Sequence, residues 1–275
     1  MKKLISSILP LILTAFTIIS FTSCQGGGKQ KKAATGSEIE KEAVKSEVKK
    51  VVYPLPTSFE VTEMLNRIEA AYIFTLCNPP ENIDNNITEK EKALALGVYG
   101  ADLSYSSTYN QKQRILEYMN VSKKLLEELD IAAAVDPNII EEIENAENDK
   151  DKLVDIITNS FYSTYMYLHN NDREPVSLLI MTGSWVEALY IATHISDETF
   201  DNKEMVTIIM NQKEHLTKLM ALLNSYKNES SVSEVINILS PLANVYTKID
   251  EGSITKKQMK EVAKEVGIAR AKIVK

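Results

Sequence analysis

The sequence predicts an all-α protein, an irregular antiparallel bundle of about eight or nine helices. Apolar residues recur at spacings of three and four from residue 57 to the end of the chain, which is typical of helices. Strand patterns are missing: no alternating run of β-branched residues is flanked by turn residues, and no Asn-Gly or Asp-Gly dipeptide occurs. No repeat recurs at a fixed period, so an α-solenoid is the less favoured alternative.

Residues 1–23 are predicted to be a lipoprotein signal peptide. Two lysines precede an uncharged run, residues 4–20, which is too short and too rich in Ser and Thr for a comfortable permanent membrane span. The stretch Phe-Thr-Ser-Cys that ends at Cys24 resembles the lipobox of bacterial lipoproteins, in which the Cys is lipidated and becomes the new N-terminus. Phe21 departs from the usual Leu, whereas Ser23 fits the small residue before the Cys. We expect lipid on Cys24 to anchor the protein to a membrane; an ordinary signal peptide with a chance Cys is the alternative.

Residues 24–52 are predicted to form a flexible tether to a single helical domain, residues 53–275. The tether is rich in glycine and then in charge, with few apolar residues to bury. Its first residues are neutral and basic, unlike the acidic cluster that many surface-displayed lipoproteins of Bacteroidetes-like bacteria carry at this position. We therefore expect a lipid-anchored protein of the bacterial cell envelope, in the outer membrane, with the periplasmic face preferred over the cell surface.

Charge and cysteine content limit the partners and the chemistry. Loss of the signal peptide removes two lysines and changes the net charge from −7 to about −9, which disfavours nucleic acid as a partner. The one cysteine that remains besides Cys24 is Cys77, so no disulfide is expected within the domain. We expect Cys77 to be a small buried residue near a helix end.

The first helices are predicted from caps and breakers. Thr57 or Ser58 starts a helix through Leu76, and Pro79 with its neighbours ends it. Thr88 and Glu91 match a capping box at the start of the next helix. That helix, which includes residues 93–109, is apolar or small on almost every face, and this predicts a place in the middle of the bundle.

The later helices follow from similar signals. Asp136-Pro137 supplies an N-cap and a proline at the first helical position, and Asp149 or Asp151 begins the following helix. A second strongly apolar helix begins near Pro175, and Pro241 is expected to kink a later one. The predicted spans are 111–129, 137–146, 149–170, 175–195, 202–226, 231–249 and 255–274.

Asp102 is the centre of the first candidate ligand pocket. Tyr99, Tyr105 and Ser106 lie three or four positions from Asp102, on the neighbouring surface of the same helix. These groups predict either an anchor or general base for a polar ligand, or a buried polar network that fixes the register of the helices. The network is the favoured interpretation.

The second candidate stripe lies on the helix of Trp185, the only tryptophan. Glu187, Tyr190 and His194 are spaced at three, four and seven, one turn beyond Gly183. An apolar helix with a glycine and a short polar stripe is typical of a pocket wall, although tyrosines at the edge of a core give the same pattern.

Motifs for catalysis or for metal binding are missing. The sequence has no Gly-rich phosphate loop, no HExxH, no CxxC and no GxSxG, and three histidines offer little to a metal. We expect no metal, no cofactor and no catalytic residue set. The last helix is rich in Lys and Arg, which is typical of a solvated charged face and is also compatible with contact to an anionic membrane.

Two segments carry a family resemblance. YPLPTSFEVTEMLN, residues 53–66, and LGVYGADLSYSSTYNQKQ, residues 96–113, resemble a family of uncharacterised helical lipoproteins from Bacteroidetes. The resemblance covers most of the domain and implies an all-α fold and a lipoprotein. It brings no catalytic residues.

Three functions remain open from the sequence. The first is a non-enzymatic protein-binding or scaffold module of the cell envelope, with an unknown envelope protein as its partner. The second is a small-molecule binder with a pocket between the helices of Asp102 and Glu187. The third, the least favoured, is an enzyme that uses Asp102 or Glu187 as an acid or base.

Overall fold

The computed structural model describes residues 58–146, 149–195, 200–250 and 252–274. These residues form nine α-helices and three short 3₁₀ turns, and none of them lies in a β-strand. The all-α bundle is confirmed. The helices are α1 (Ser58–Arg67), α2 (Glu89–Thr108), α3 (Lys112–Glu128), α4 (Ile139–Ala146), α5 (Lys150–Asn170), α6 (Glu174–His194), α7 (Lys203–Ser225), α8 (Ser230–Thr247) and α9 (Lys256–Ile273). The predicted signal peptide, Cys24, the tether and the start of the domain at residue 53 lie outside the described residues.

Helices α2 and α6 form the centre of the bundle. Sixteen residues of α2 and fifteen of α6 are buried, on every side of each helix, so both have neighbours all round. Within the described residues, α6 is the one helix that is long and apolar enough to cross a membrane, and 83% of its apolar window is buried inside the fold. Its composition is therefore that of a core helix.

The backbones of α2 and α6 touch at two glycines. A β-carbon on Gly97 would lie 2.0 Å from the carbonyl oxygen of Ile180, and one on Gly183 would lie 2.1 Å from that of Leu94. No residue other than glycine has room at such a contact. The small-residue side predicted for α2 is therefore the surface on which α6 packs.

The two central helices run in the same direction. Arg173, just before α6, bonds Glu89 at the start of α2 with an N–O distance of 2.6 Å. Further along, Glu187 of α6 lies beside Asp102 of α2. The consecutive helices α2 and α3 run antiparallel, as expected: Lys92 near the start of α2 pairs with Glu128 at the end of α3.

Helix α1 is shorter than the sequence predicts. It ends at Arg67 rather than Leu76, because Glu69 adopts a positive φ of 58° and the amide of Ala70 donates to the carbonyl of Leu65. These features close the helix with a left-handed cap. Residues 68–88 then cross α2 as a mainly irregular connection with two 3₁₀ turns, which we call the strap.

Most other helix starts agree with the predicted starts. Thr88 and Thr255 form complete capping boxes, and Asp149 and Asn202 accept hydrogen bonds from the first turns of α5 and α7. Pro241 lies inside α8. The expected start of α4 is wrong: the Asp136 side chain accepts from the amide of Asn138 in a turn that includes Pro137, and the helix begins at Ile139. Local sequence signals therefore set most boundaries, with α1 and α4 as the exceptions.

Candidate functional site

The polar side chains of α2 around Asp102, which we call the polar strip, hold the strap; they are Tyr99, Tyr105, Ser106 and Tyr109. Tyr99 donates its hydroxyl hydrogen to the carbonyl of Pro79, over 3.0 Å. Tyr105 donates to the carbonyl of Ala71 over 3.3 Å and accepts from the amide of Ile73 over 3.0 Å. These bonds attach the backbone of the strap to α2 at three points.

The strip continues to the end of α2. The hydroxyls of Ser106 and Tyr72 lie 3.0 Å apart, and Tyr109 donates to the carbonyl of Ala70 over 2.6 Å. The Tyr72 and Tyr105 rings also pack together, with their centroids 4.8 Å apart. The first candidate pocket is therefore filled by the protein's own chain, as expected of a buried polar network.

Asp102 and Glu187, predicted at separate sites, meet in one buried cluster. Both residues have no exposed surface. Asp102 Oδ2 accepts a hydrogen bond from the amide of Asn78 in the strap, over 3.0 Å. Glu187 accepts two from Arg270 of α9, from Nε over 2.6 Å and from Nη2 over 2.7 Å. Arg270 Nη2 also donates to the carbonyl of Leu76, over 3.0 Å. The cluster thus ties α2, α6, α9 and the strap together.

One arginine faces two carboxyl groups, and this sets their protonation. Burial, reinforced by the charge of Glu187, raises the pKa of Asp102 well above its usual value. Burial also raises the pKa of Glu187, while the hydrogen bonds and charge of Arg270 oppose the rise. The arrangement favours a neutral Asp102 beside an ionised Glu187 that Arg270 holds, and the second carboxyl oxygen of Asp102, Oδ1, has no hydrogen-bond partner among the described residues.

Cys77 lies beside this cluster and is buried, as predicted. Burial, followed by the charges of Asp102 and Glu187, raises the pKa of the Cys77 thiol far above its usual value. A thiol in this setting stays protonated and is a poor nucleophile.

The remaining stripe residues surround Arg270 on its outer side. The guanidinium carbon of Arg270 lies 4.2 Å from the ring centre of Tyr190, and the His194 ring stacks on Tyr190 at 4.1 Å. Burial lowers the pKa of His194. Trp185 points elsewhere, because its indole Nε1 donates to Gln212 of α7 over 2.9 Å. The structure therefore brings the three stripe residues, Glu187, Tyr190 and His194, together around Arg270 and places Trp185 apart from them.

Sequence reasoning missed Arg270, the partner on which the cluster depends. The sequence pattern places it on a solvated basic face, although it follows directly on the buried position Ala269. A basic residue at the edge of a buried stripe was the available signal. Its partner on another helix could not be inferred from spacing.

An enzyme site would need its acid and base to reach substrate. Asp102 and Glu187 are both fully buried, and each is engaged by the fold itself. In the part of the chain that the structure describes, no group of three or more His, Cys, Asp or Glu side chains is placed to hold a metal ion. The cluster has the chemistry of a structural clamp.

A separate, partly open crevice lies on the opposite side of α2, against α3, α4 and α5. Its volume is about 50 Å³. It is almost entirely apolar, and its lining carries no charged group. The lining residues are Leu96, Gly100, Leu103, Met119, Ser122, Leu126, Val135, Ile139, Ile157, Ser160, Phe161, Thr164 and Ile180.

Ser122 is the unusual member of this lining. Its side chain is buried, with 8% of the residue exposed, and its hydroxyl has no hydrogen-bond partner among the described residues. The other two hydroxyls in the lining each donate to a backbone carbonyl one turn back, Ser160 over 2.8 Å and Thr164 over 2.9 Å. A buried hydroxyl without a partner costs free energy and calls for an explanation.

Gly100 and Phe161 set the width of the crevice. A β-carbon on Gly100 would lie 2.0 Å from Cζ of the Phe161 ring, so the ring rests directly on the backbone of α2. Phe161 is half-buried. No sequence signal pointed to Ser122 or Phe161, because a serine beside lysines and a phenylalanine on an amphipathic helix are both ordinary patterns. The chain was also compared with known proteins. It matches no protein-family model, no curated protein and no solved structure.

Proposed function

We propose that this chain is a lipid-anchored protein of the bacterial cell envelope whose helical domain binds a small, neutral, largely apolar molecule in the Ser122 crevice. The observation that carries the proposal is the unpartnered hydroxyl of Ser122 in an otherwise apolar, partly open cavity. An apolar pocket with one or two placed polar groups is the usual form of a small-molecule site.

The lining limits the class of ligand. None of its side chains is charged, so a carboxylate or ammonium group inside the crevice would lose its hydration without gaining a partner. A hydroxyl, ester or amide could instead pair with Ser122. The favoured ligand is therefore an alkyl chain or small ring with one neutral polar group.

The volume limits the size of the group that enters. At about 50 Å³ the crevice is smaller than the ~150 Å³ cavities that bind benzene, so it admits a few carbon atoms, such as the end of an alkyl chain. Rotation of the half-buried Phe161 ring away from Gly100 would lengthen the space along α2. The rest of a longer ligand would lie outside the opening.

The predicted address supports this function. A signal peptide followed by Cys24 favours export and lipid anchoring, and the tether would leave the domain free beside the membrane. Apolar metabolites and lipid fragments are concentrated at that surface. The family resemblance noted from residues 53–66 and 96–113 favours the same address.

A protein-docking module is the second candidate. Phe74 is 57% exposed and Ile87 is 79% exposed, and both belong to the strap. Exposed large apolar side chains favour a protein partner when they form a patch. No third large apolar side chain of the strap is exposed to this degree, which is why the crevice is the better-supported site.

The test is a titration of the purified protein with hexanol, followed by thermal unfolding. Hexanol should raise the melting temperature of the wild type in a concentration-dependent manner, because a ligand that binds only the native state stabilises it. Hexanoate should act more weakly, since its charge is not matched. Ser122→Leu fills the crevice and should abolish the response, whereas Ser163→Leu, the same substitution at an exposed position on α5, should retain it.

Two results would count against the binder. One is a wild type that hexanol does not stabilise. The other is a Ser122→Leu variant that responds as the wild type does while its helical circular dichroism is unchanged. If hexanol does not stabilise the wild type, the docking module is the next candidate. A protein partner that binds the wild type and fails to bind the Phe74→Ser variant would favour it.

A further inference from the structure

The outward face of α9 carries a row of lysines. Lys257, Lys260, Lys264 and Lys272 are exposed, and their spacings of three, four and eight place them on one side of the helix. The opposite side is buried in the bundle. Its buried residues are Met259, Val262, Val266, Ala269 and Ile273.

These lysines are not used inside the fold. Arg270 is engaged by Glu187, and Lys256 is paired with Asp201 at 2.8 Å. In contrast, no carboxylate of the described residues pairs with Lys257, Lys260 or Lys272. The remaining one, Lys264, only approaches its neighbour Glu265 at 3.8 Å and keeps 72% of its side chain exposed.

Helix stability does not account for Lys257, whereas Lys272 stands in the last turn, where positive charge suits the helix dipole. Lys256 and Lys257 stand in the first turn of α9, which has no acidic residue. Positive charge at a helix N-terminus opposes the helix dipole and is unfavourable. The charge of α9 also opposes that of the chain: the helix has six Lys and Arg against two Glu, whereas the whole protein has a net charge of −7.

An apolar residue lies in the same row. Ile268, between Lys264 and Lys272, is 41% exposed and is one of three large apolar side chains that the described surface exposes to this degree. Lysines that flank an exposed isoleucine on a helix about 27 Å long offer a basic surface with one apolar side chain to an anionic bilayer.

We propose that the lysine row of α9, Lys257, Lys260, Lys264 and Lys272 with Ile268, docks the domain on an anionic membrane surface. The lysine side chains contact lipid phosphates, and Ile268 enters the headgroup region. Charge complementarity selects the membrane, because the row has four lysines, whereas the helix has two acidic residues, Glu261 and Glu265, of which Glu261 lies on the same side as the row. The predicted anchor at Cys24 would hold the domain within reach, since a tether of about 30 residues spans roughly 30 Å.

The experiment is vesicle co-sedimentation. It uses the chain from residue 24 onward with Cys24→Ser, so that neither the apolar leader nor a lipid binds the vesicles, and all described residues remain. The protein should sediment with vesicles of phosphatidylcholine and phosphatidylglycerol, and should stay in solution with phosphatidylcholine alone. Binding should fall as sodium chloride is added, because exposed charges are screened.

Matched variants test whether the lysine row is the surface that binds the vesicles. Lys257→Gln, Lys260→Gln and Lys264→Gln together should weaken the partition to anionic vesicles by at least about tenfold. Lys123→Gln, Lys203→Gln and Lys227→Gln remove the same charge from exposed positions on other elements and should change it by less than about twofold. Ile268→Ser should weaken binding and leave its salt dependence intact.

Several outcomes would overturn the proposal. They are equal binding to both kinds of vesicle, equal loss in both triple variants, or full release by soluble glycerol phosphate, which would mean a small-anion site. The proposal is independent of the Ser122 crevice, since Ser122→Leu leaves α9 unchanged.

Discussion

Gly97 of α2 lies against the backbone of Ile180 of α6, so closely that a β-carbon on Gly97 would be 2.0 Å from the Ile180 carbonyl oxygen. The two most buried helices are thus in backbone contact over their central turns. The packing of the whole bundle is built on this contact, because all other helices rest on α2, α6 or their neighbours.

Gly97→Ala should destabilise the protein strongly. The added methyl meets backbone atoms that cannot move aside, so α2 and α6 must separate, with an expected loss of about 3 kcal/mol in the free energy of unfolding. Urea denaturation followed by circular dichroism measures this loss. Gly267→Ala in α9 is the control, because its nearest atom would be the His194 side chain at 3.5 Å. The control should gain up to about 1 kcal/mol from helix propensity. Equal stability of the two variants would contradict the backbone contact.

Arg270→Met should cost about 3–5 kcal/mol, because it leaves the buried carboxylate of Glu187 without its charged partner. It also removes the bond to the Leu76 carbonyl in the strap. Lys257→Met, on the exposed face of the same helix, should change stability by no more than about 0.5 kcal/mol. Chemical denaturation of each variant gives these differences. The double variant Arg270→Met with Glu187→Leu should recover part of the loss. If it is no more stable than Arg270→Met alone, the two residues are not coupled.

The stability of the protein should carry a pH dependence that Asp102 contributes. The native pKa of Asp102 is raised, so above the unfolded value of about 3.9 the native state holds one more proton than the unfolded state. The stabilising contribution of Asp102 is then complete below that unfolded value and is lost as the pH rises towards the native pKa.

Asp102→Asn keeps the shape of the neutral acid and cannot titrate. The stability of this variant relative to the wild type should therefore increase with pH across the same window, by up to about 1.4 kcal/mol per pH unit. Urea titrations at several pH values measure the difference. A difference that does not vary with pH would mean that Asp102 is ionised in the native state.

Cys77 should be inert in the native protein. Burial and the neighbouring carboxylates hold its thiol protonated, so a disulfide reagent should modify it only on unfolding. The measurement uses the Cys24→Ser chain, in which Cys77 is the only thiol. Ser253→Cys adds an exposed thiol and should react within the mixing time. Rapid modification of Cys77 without denaturant would place it at an accessible site.

The predicted helix boundaries rested on local chemistry and agree well where that chemistry is complete. The capping boxes at Thr88 and Thr255 are satisfied within four residues of the chain, so they could be identified from spacing alone. The end of α1 could not be identified from spacing alone. Residues 68–76 continue a helical pattern, but their backbone groups gain partners on α2, such as the bond between Ile73 and Tyr105, that no helix would offer them.

The candidate site, too, could be predicted from the sequence only in part. Helical spacing placed Tyr99 and Ser106 on one strip with Asp102 and predicted that a carboxylate would be carried into the interior, because the neighbouring positions are apolar or small. It could not show that the strap lies on this strip, or that Glu187 from another helix joins it. Those contacts join residues far apart in the chain.

The sequence by itself determined the all-helical class, most helix ends and the burial of α2 and α6, since each follows from residues within a few turns of one another. The tertiary structure decided the pairing of Asp102, Glu187 and Arg270, the parallel course of α2 and α6, and the crevice at Ser122. Each of these depends on how a helix is rotated against its neighbour, and that rotation is chosen by the packing of the whole core. The spacing of residues along one helix does not indicate this rotation.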